Sequence, residues 1–147
     1  MATLFTKIID GELPGRFVWS DDVAVGFLTI APIRPGHTLV VPRAEIDEFT
    51  NADDDTLAHL TTVAKAIGAA QKQAWSAPRA GLIVAGFEVP HLHVHVLPIW
   101  GEGDLTFANA RTDTPEPEMD AAAEKLRAAL AATGHQDHVP AEVSTLG

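Results

Sequence analysis

The segment HLHVHVLP, residues 91 to 98, is the feature of this sequence that most restricts how the chain folds. Histidine alternates with an aliphatic residue in this segment, at positions His91, His93 and His95. Side chains two residues apart on a β-strand point to the same face of the sheet. The segment therefore predicts a strand whose aliphatic face joins the core and whose histidine face lines a cleft or meets solvent.

The rest of the chain predicts four more strands and two long helices. Segments rich in β-branched and aromatic residues, bounded by turn residues, predict strands over 16–20, 23–30, 37–42 and 81–85. Apolar residues at spacings of three and four predict helices, one from the capping residues 51–55 to about residue 75 and one over 114–134. Because most strands are linked as hairpins, we expect an α+β fold with a five-stranded antiparallel sheet and two main helices.

Composition narrows the classes of partner. The chain of 147 residues carries a net charge of −10 and contains no cysteine. The acidic charge argues against nucleic acid polymers and anionic membranes, since both bind basic surfaces. The lack of cysteine excludes disulfides and thiolate metal sites. The chain has no apolar run long enough to cross a membrane and no leader-like N-terminal segment, so we expect a cytoplasmic protein without membrane contact.

Three interpretations of the histidine face are open. The histidines could simply form the polar side of a half-exposed strand. They could bind a metal, although the outer two Cα atoms of such a strand lie about 13 Å apart, too far for one zinc ion to bind all three. Two of them with another histidine, such as His37, could do so. Finally, a neutral imidazole held in one tautomer is a good nucleophile near pH 7, and phosphorus is a natural electrophile for it.

Three stretches of the chain resemble the histidine triad family, whose signature is His-x-His-x-His followed by two apolar residues. These stretches are TLFTKIIDGELP, FLTIAPIRPGHTLVVP and AGFEVPHLHVHVLP, at residues 3–14, 27–42 and 85–98. The resemblance covers about the first hundred residues. It implies the fold of that family, with residues 1–110 as the histidine triad domain and 111–147 as a C-terminal helix and tail of the same domain.

The resemblance also implies an activity. Members of the family are nucleotide hydrolases and nucleotidyl transferases, and they are usually homodimers. A hydrolase of the nucleoside phosphoramidase or dinucleoside polyphosphate type is therefore expected, acting on a small nucleotide-like substrate. The family chemistry needs no cofactor and no metal.

The resemblance assigns roles to four histidines. His93, the middle member, is the expected nucleophile, whose Nε2 attacks the α-phosphorus of a nucleotide conjugate and gives a nucleotidyl-histidine intermediate. The carbonyl of His91 is expected to hold the Nδ1–H of His93. His95 and His37 complete the cluster, either by bracing it or by contacting phosphate oxygens.

The expected nucleotide site departs from the family pattern. Five positions are implied to line it, namely Phe27, Thr29, Ile30, Phe87 and Val89. Thr29 stands where an aspartate typically holds the ribose hydroxyls, and Phe87 replaces a glutamine that helps to bind phosphate. These changes favour an alternative interpretation, a nucleotide-binding or regulatory protein with little turnover. Separately, Thr3 and Thr6 stand where some members carry zinc-binding cysteines, so that zinc site is expected to be missing.

Overall fold

A computed structural model describes residues 2–147 of the chain, which fold around one antiparallel sheet. The five strands lie in the order β1-β2-β3-β5-β4. Their bounds are Phe17–Ser20 for β1, Ala24–Leu28 for β2, Thr38–Pro42 for β3, Arg79–Ile83 for β4 and Val94–Ile99 for β5. All neighbouring pairs are antiparallel. The predicted α+β fold with a five-stranded antiparallel sheet is confirmed.

Three α-helices accompany the sheet, spanning Leu4–Ile9 for α1, Asp54–Trp75 for α2 and Glu116–Leu130 for α3. The side chain of Asp53 accepts a hydrogen bond from the Thr56 N–H, so the acidic run before α2 caps that helix as the sequence predicts. Within residues 2–147, every helix is too short or too polar to cross a lipid bilayer.

The two faces of the sheet are covered by different elements. Helices α2 and α3 pack on one face, where the aliphatic residues of the histidine segment (Leu92, Val94 and Val96) join the main core. This confirms that the aliphatic face of the segment is buried. The opposite face carries a second cluster, in which Phe5 of α1 packs against Phe27 of β2.

Strand β5 begins at Val94, three residues later than the sequence predicts. The last pair that it forms with β3 is Val40 with Val94. Beyond this pair the ladder cannot continue, because Pro42 has no N–H and its carbonyl lies 2.8 Å from the Nε2 of His91. His91 and His93 therefore lie in the irregular segment that leads into β5.

One glycine of the loop before β3 is required by both its conformation and its neighbours. Gly36 has a φ of 86°, and a Cβ atom there would come within 2.5 Å of the Trp75 ring. We predict that Gly36→Ala lowers the free energy of unfolding by about 2–3 kcal/mol, because an L side chain is strained at this φ and the indole must move. Chemical denaturation measures the change.

Gly103 supplies the control for this prediction. It has no positive φ, and a Cβ atom there would meet nothing within 4 Å. Gly103→Ala should therefore change stability by less than about 0.5 kcal/mol. Equal stability of the two variants would contradict the packing described around Gly36.

Candidate active site

Four histidines lie together on the sheet face opposite the main core. They are His37, His91, His93 and His95, and all four side chains are buried. Of the two expected settings for this face, a cleft or solvent, the burial rules out a face that meets solvent. Two aromatic rings cover the cluster, with the Phe5 ring 5.0 Å from that of His93 and the Phe107 ring 4.9 Å from that of His95.

The protonation pattern of His93 follows from its backbone partner. The Nδ1 of His93 lies 2.7 Å from the carbonyl oxygen of His91. A carbonyl oxygen only accepts hydrogen bonds, so Nδ1 carries the proton and donates it. In the neutral ring the Nε2 is then left with a free lone pair. This is the nitrogen that a nucleophilic histidine needs.

The Nε2 of His93 has no hydrogen-bond partner among residues 2–147 but is accessible to solvent. It makes no hydrogen bond with residues 2–147. The completely enclosed side-chain polar atoms without a partner in this part of the chain are Gln71 Oε1 and Thr114 Oγ1, and the His93 nitrogen is not among them. The His93 side chain is 5% exposed, so a small opening reaches its free nitrogen.

A backbone N–H determines, through His37, which ring nitrogen of His95 carries the proton. The protonated nitrogen of His95 is Nε2, whereas that of His93 is Nδ1. The Ile33 N–H donates to the Nδ1 of His37 at 3.0 Å, so neutral His37 carries its proton on Nε2. That nitrogen lies 2.9 Å from the Nδ1 of His95 and donates to it. Neutral His95 therefore carries its proton on Nε2. Since the rings of His93 and His95 are 5.0 Å apart, the cluster combines a free lone pair with a nearby N–H donor.

Burial keeps these imidazoles neutral. It lowers the pKa of His93 below its usual value of 6.5, although the hydrogen bond to the His91 carbonyl opposes the shift. The same cause, with a smaller repulsion from His93, lowers the pKa of His95 to about 4. Burial and the neighbouring His95 lower the pKa of His37 to about 3. All three rings are therefore unprotonated at neutral pH, as the hydrogen-bond pattern requires.

The segment after β5 folds back over the site. The Arg34 guanidinium donates to Asp104 at 2.8 Å and stacks on the Trp100 ring at 4.7 Å. Asp104 also accepts a hydrogen bond from the Trp100 N–H at 2.7 Å. These contacts join the segment to the loop before His37 and hold Phe107 close to His95. Sequence reasoning missed Phe107, because it lies beyond the stretches with recognisable spacing.

The positions expected to bind a nucleotide are divided between the core and the surface. Phe27 is buried beside Phe5, and Val89 packs against the same cluster. Ile30 is 83% exposed and Phe87 is fully exposed, so neither side chain is part of the buried histidine cluster. The structure therefore brings two of the five positions next to the aromatic cover of His93.

Thr29 is half-buried, so its burial is intermediate between that of Phe27 and that of Phe87. Its hydroxyl oxygen accepts a hydrogen bond from the Ala31 N–H at 3.1 Å, and its backbone N–H donates to the His37 carbonyl at 3.2 Å. The hydroxyl proton remains free to donate. Thr29 is thus tied to the loop that carries His37.

A small cavity adjoins His37. It has a volume of about 50 Å³ and also contacts Arg34, Arg111 and Thr114. This volume suits a few water molecules and is far below the size of a nucleotide pocket.

The four histidines are not arranged to share one metal ion. In the part of the chain that the structure describes, no group of three or more His, Cys, Asp or Glu side chains is arranged to hold a metal ion. Both ring nitrogens of His37 are occupied by protein hydrogen bonds, and the same is true of His91. Thr3, which stands where the resemblance places a zinc-binding cysteine in some members, lies beside His91, and a neutral hydroxyl is a poor zinc ligand.

Comparisons with known proteins agree with this arrangement. The family model of the HIT domain matches residues 10–100. An uncharacterised HIT-like protein of Saccharolobus solfataricus is 36% identical over 104 residues, which cover 67% of this chain and 75% of the relative. A zinc-bound histidine triad family protein of Mycobacterium smegmatis has a TM-score of 0.78 at 27% identity, covering 90% of this chain and 96% of that one.

Two further solved structures are similar. One is a hypothetical histidine triad nucleotide-binding protein of Sulfolobus tokodaii, with a TM-score of 0.73 and 30% identity over 87% of this chain and 91% of that one. The other is a HIT family hydrolase of Legionella pneumophila, with a TM-score of 0.57 and 33% identity over 65% of this chain and 91% of that one. The chain therefore belongs to the HIT (histidine triad) family, within the superfamily of histidine triad hydrolases and transferases.

Proposed function

We propose that this protein is a hydrolase or nucleotidyl transferase that cleaves a bond to the α-phosphorus of a nucleotide conjugate. One observation carries the proposal. The carbonyl of His91 holds the Nδ1–H of His93 at 2.7 Å and leaves the Nε2 free for attack. The nucleotide-binding and hydrolase relatives from Sulfolobus tokodaii and Legionella pneumophila support it.

The first step forms a bond between the Nε2 of His93 and phosphorus. The bond from phosphorus to the leaving group breaks, and a leaving amine takes a proton from solvent. The phosphorylated ring is then cationic, and the His91 carbonyl stabilises it through the Nδ1–H. The Nε2–H of His95 donates to a phosphate oxygen, where negative charge develops.

The second step regenerates the enzyme. A water molecule attacks the phosphorus, and the bond from phosphorus to the Nε2 of His93 breaks. The electron pair of that bond returns to Nε2 as its lone pair, and a proton is released to solvent. In a transferase, another nucleophile takes the place of water. A nucleoside phosphoramidate or a dinucleoside polyphosphate fits this scheme, because in both a leaving group is joined to a nucleotidyl phosphorus.

A nucleotide-binding protein with little turnover is the second candidate. The exposed position of Phe87, away from the histidine cluster, favours it because a phosphate-binding side chain is expected there. Calorimetry with AMP and GMP separates the two candidates when combined with turnover assays. Binding without turnover identifies the second candidate, and turnover identifies the first.

We also propose that the protein is a homodimer that forms through β4. Among residues 2–147, this strand lies at the edge of the sheet and pairs with β5 alone. Leu82 is 46% exposed on it, and Val84 just beyond it is 38% exposed. An edge strand with exposed apolar residues can pair with a second copy and extend the sheet.

Removal of the nucleophile tests the enzymatic proposal. We predict that His93→Ala lowers kcat for adenosine phosphoramidate or diadenosine tetraphosphate by roughly a thousandfold or more, as expected when a nucleophile is lost. His59→Ala is the matched control, because His59 hydrogen-bonds to Asp21 outside the cluster. Equal rates for His93→Ala and the wild-type protein would remove His93 from the mechanism.

The pH dependence of the rate gives a second test. The reactive form of His93 is unprotonated, and burial lowers its pKa below 6.5. We therefore predict that kcat/KM stays constant as the pH falls from 8 to about 6.5 and declines only at lower pH. Stopped assays over this range measure the profile, with circular dichroism at each pH to confirm that the protein is folded. A decline that begins above pH 7 would contradict the neutral, buried nucleophile.

The homodimer is tested at the sheet edge. We predict that Leu82→Lys shifts the protein from dimer to monomer in sedimentation velocity, because a lysine cannot be buried against a second copy without a partner. Val23→Lys is the control, since Val23 has a similar exposure in the turn at the other side of the sheet. A wild-type protein that sediments as a monomer would overturn the proposal.

A further inference from the structure

The N-terminal turn of the chain contacts the histidine cluster through one hydroxyl. The Oγ1 of Thr3 lies 2.6 Å from the Nδ1 of His91, a residue 88 positions away in the chain. The same oxygen accepts a hydrogen bond from the Thr6 N–H at 3.1 Å and so caps α1. Thr3 is therefore both the start of α1 and a neighbour of the histidine segment.

The direction of the hydrogen bond between Thr3 and His91 is determined. The Nε2 of His91 lies 2.8 Å from the carbonyl oxygen of Pro42, so Nε2 carries the proton and donates it. In the neutral ring Nδ1 can then only accept. The Thr3 hydroxyl, which can donate or accept, therefore donates to it, and both nitrogens of His91 are hydrogen-bonded.

A carboxylate holds Thr3 in place. The Oε2 of Glu45 accepts hydrogen bonds from the Thr3 N–H at 2.6 Å and from the Thr6 hydroxyl at 3.0 Å. The bond from the Thr3 N–H is the main cause that lowers the pKa of the Glu45 carboxyl below its usual value. Glu45 follows β3, so it ties the start of α1 to the sheet.

We propose, on the basis of the function proposed above, that Thr3 is a positioning residue for the nucleophile. The Pro42 carbonyl selects the tautomer of His91, and the Thr3 hydroxyl, by donating to Nδ1, holds the orientation of its ring. His91 in turn presents the carbonyl oxygen that holds the Nδ1–H of His93. Thr3 touches no reacting atom in this scheme and acts only through His91.

Helix α1 links this role to the packing of the nucleophile. Phe5 is buried, and its ring lies 5.6 Å from that of His91 and 5.0 Å from that of His93, with edge-to-face geometry. A shift of α1 therefore moves both the hydroxyl and the aromatic ring that covers His93. The segment before β1 thus sets the geometry of His91 and His93, which lie in the second half of the chain.

Substitutions at Thr3 test the proposal. Thr3→Val removes the hydroxyl at constant shape. Thr3→Asp keeps a side chain that caps α1 but cannot donate to His91 when ionised. Thr3→Ser keeps both functions. Thr6→Val is the matched control, because the Thr6 hydroxyl lies 3.2 Å from that of Thr3 but does not contact His91, so its removal leaves the contact between Thr3 and His91 in place. For each variant, kcat, KM and the ¹⁵N chemical shifts of the histidine ring nitrogens are measured, together with Tm.

We expect Thr3 substitutions to change kcat more than KM and to change the ¹⁵N chemical shifts of the His91 ring. Thr3→Val and Thr3→Asp should lower kcat by about three- to tenfold, the value of one hydrogen bond, with KM within about twofold. The unprotonated Nδ1 of His91 loses its hydrogen-bond donor in both variants, so its ¹⁵N chemical shift should move away from the wild-type value. Thr3→Ser should restore both readouts, and Thr6→Val should keep the wild-type shifts.

Two results would overturn the proposal. One is an unchanged His91 spectrum in the folded Thr3→Val and Thr3→Asp proteins. The other is a loss of kcat in Thr3→Ser as large as that in Thr3→Val, which would indicate a role in packing alone. The ring-nitrogen shifts need no substrate, so they decide the role of Thr3 toward His91 even if the wild-type protein hydrolyses none of the nucleotides offered.

Discussion

The hydrogen bond between the Nδ1–H of His93 and the carbonyl oxygen of His91 is the interaction on which the site depends. It joins residues two apart, so it forms only where the backbone leaves the regular ladder of β5. The ladder ends there because Pro42 lacks an N–H and its carbonyl is taken by the His91 ring. Because the pairing of β3 with β5 ends at Val94, the His91 carbonyl can accept a hydrogen bond from the Nδ1–H of His93. This bond leaves the Nε2 of His93 unprotonated.

Neutrality and hydrogen bonding support each other in the cluster. Burying imidazoles is costly unless their polar atoms are paired, and the backbone groups of Ile33, Pro42 and His91 supply partners of fixed polarity. Each partner selects one tautomer, and burial lowers the pKa of His37, His93 and His95, so that the tautomers of these three rings persist at neutral pH. The result is an ordered set of donors and acceptors, and within residues 2–147 no acidic side chain is hydrogen-bonded to any of the four rings.

The sequence predicts the sheet and the aliphatic side of the histidine segment because both depend on local alternation and on turn residues. It does not predict that the histidines are buried, since Phe107 reaches His95 only through the fold of the segment after β5. The contact between Thr3 and His91 spans 88 positions and leaves no periodic signal. The family resemblance also implies that Phe87 lines the nucleotide site. Its side chain is instead fully exposed, because the loop before the triad places it away from the histidine cluster.

The central claim is that the free Nε2 of His93 becomes covalently bonded to phosphorus during turnover. The most direct measurement is rapid quenching of the reaction with a nucleoside phosphoramidate, followed by digestion under neutral or alkaline conditions and mass spectrometry of the peptide that contains residues 91–95. The account predicts a transient peptide that carries one nucleoside monophosphate on His93, formed and lost at rates compatible with turnover. An active protein whose adduct lies on His91 or His95, or one that releases product without any such adduct, would contradict it.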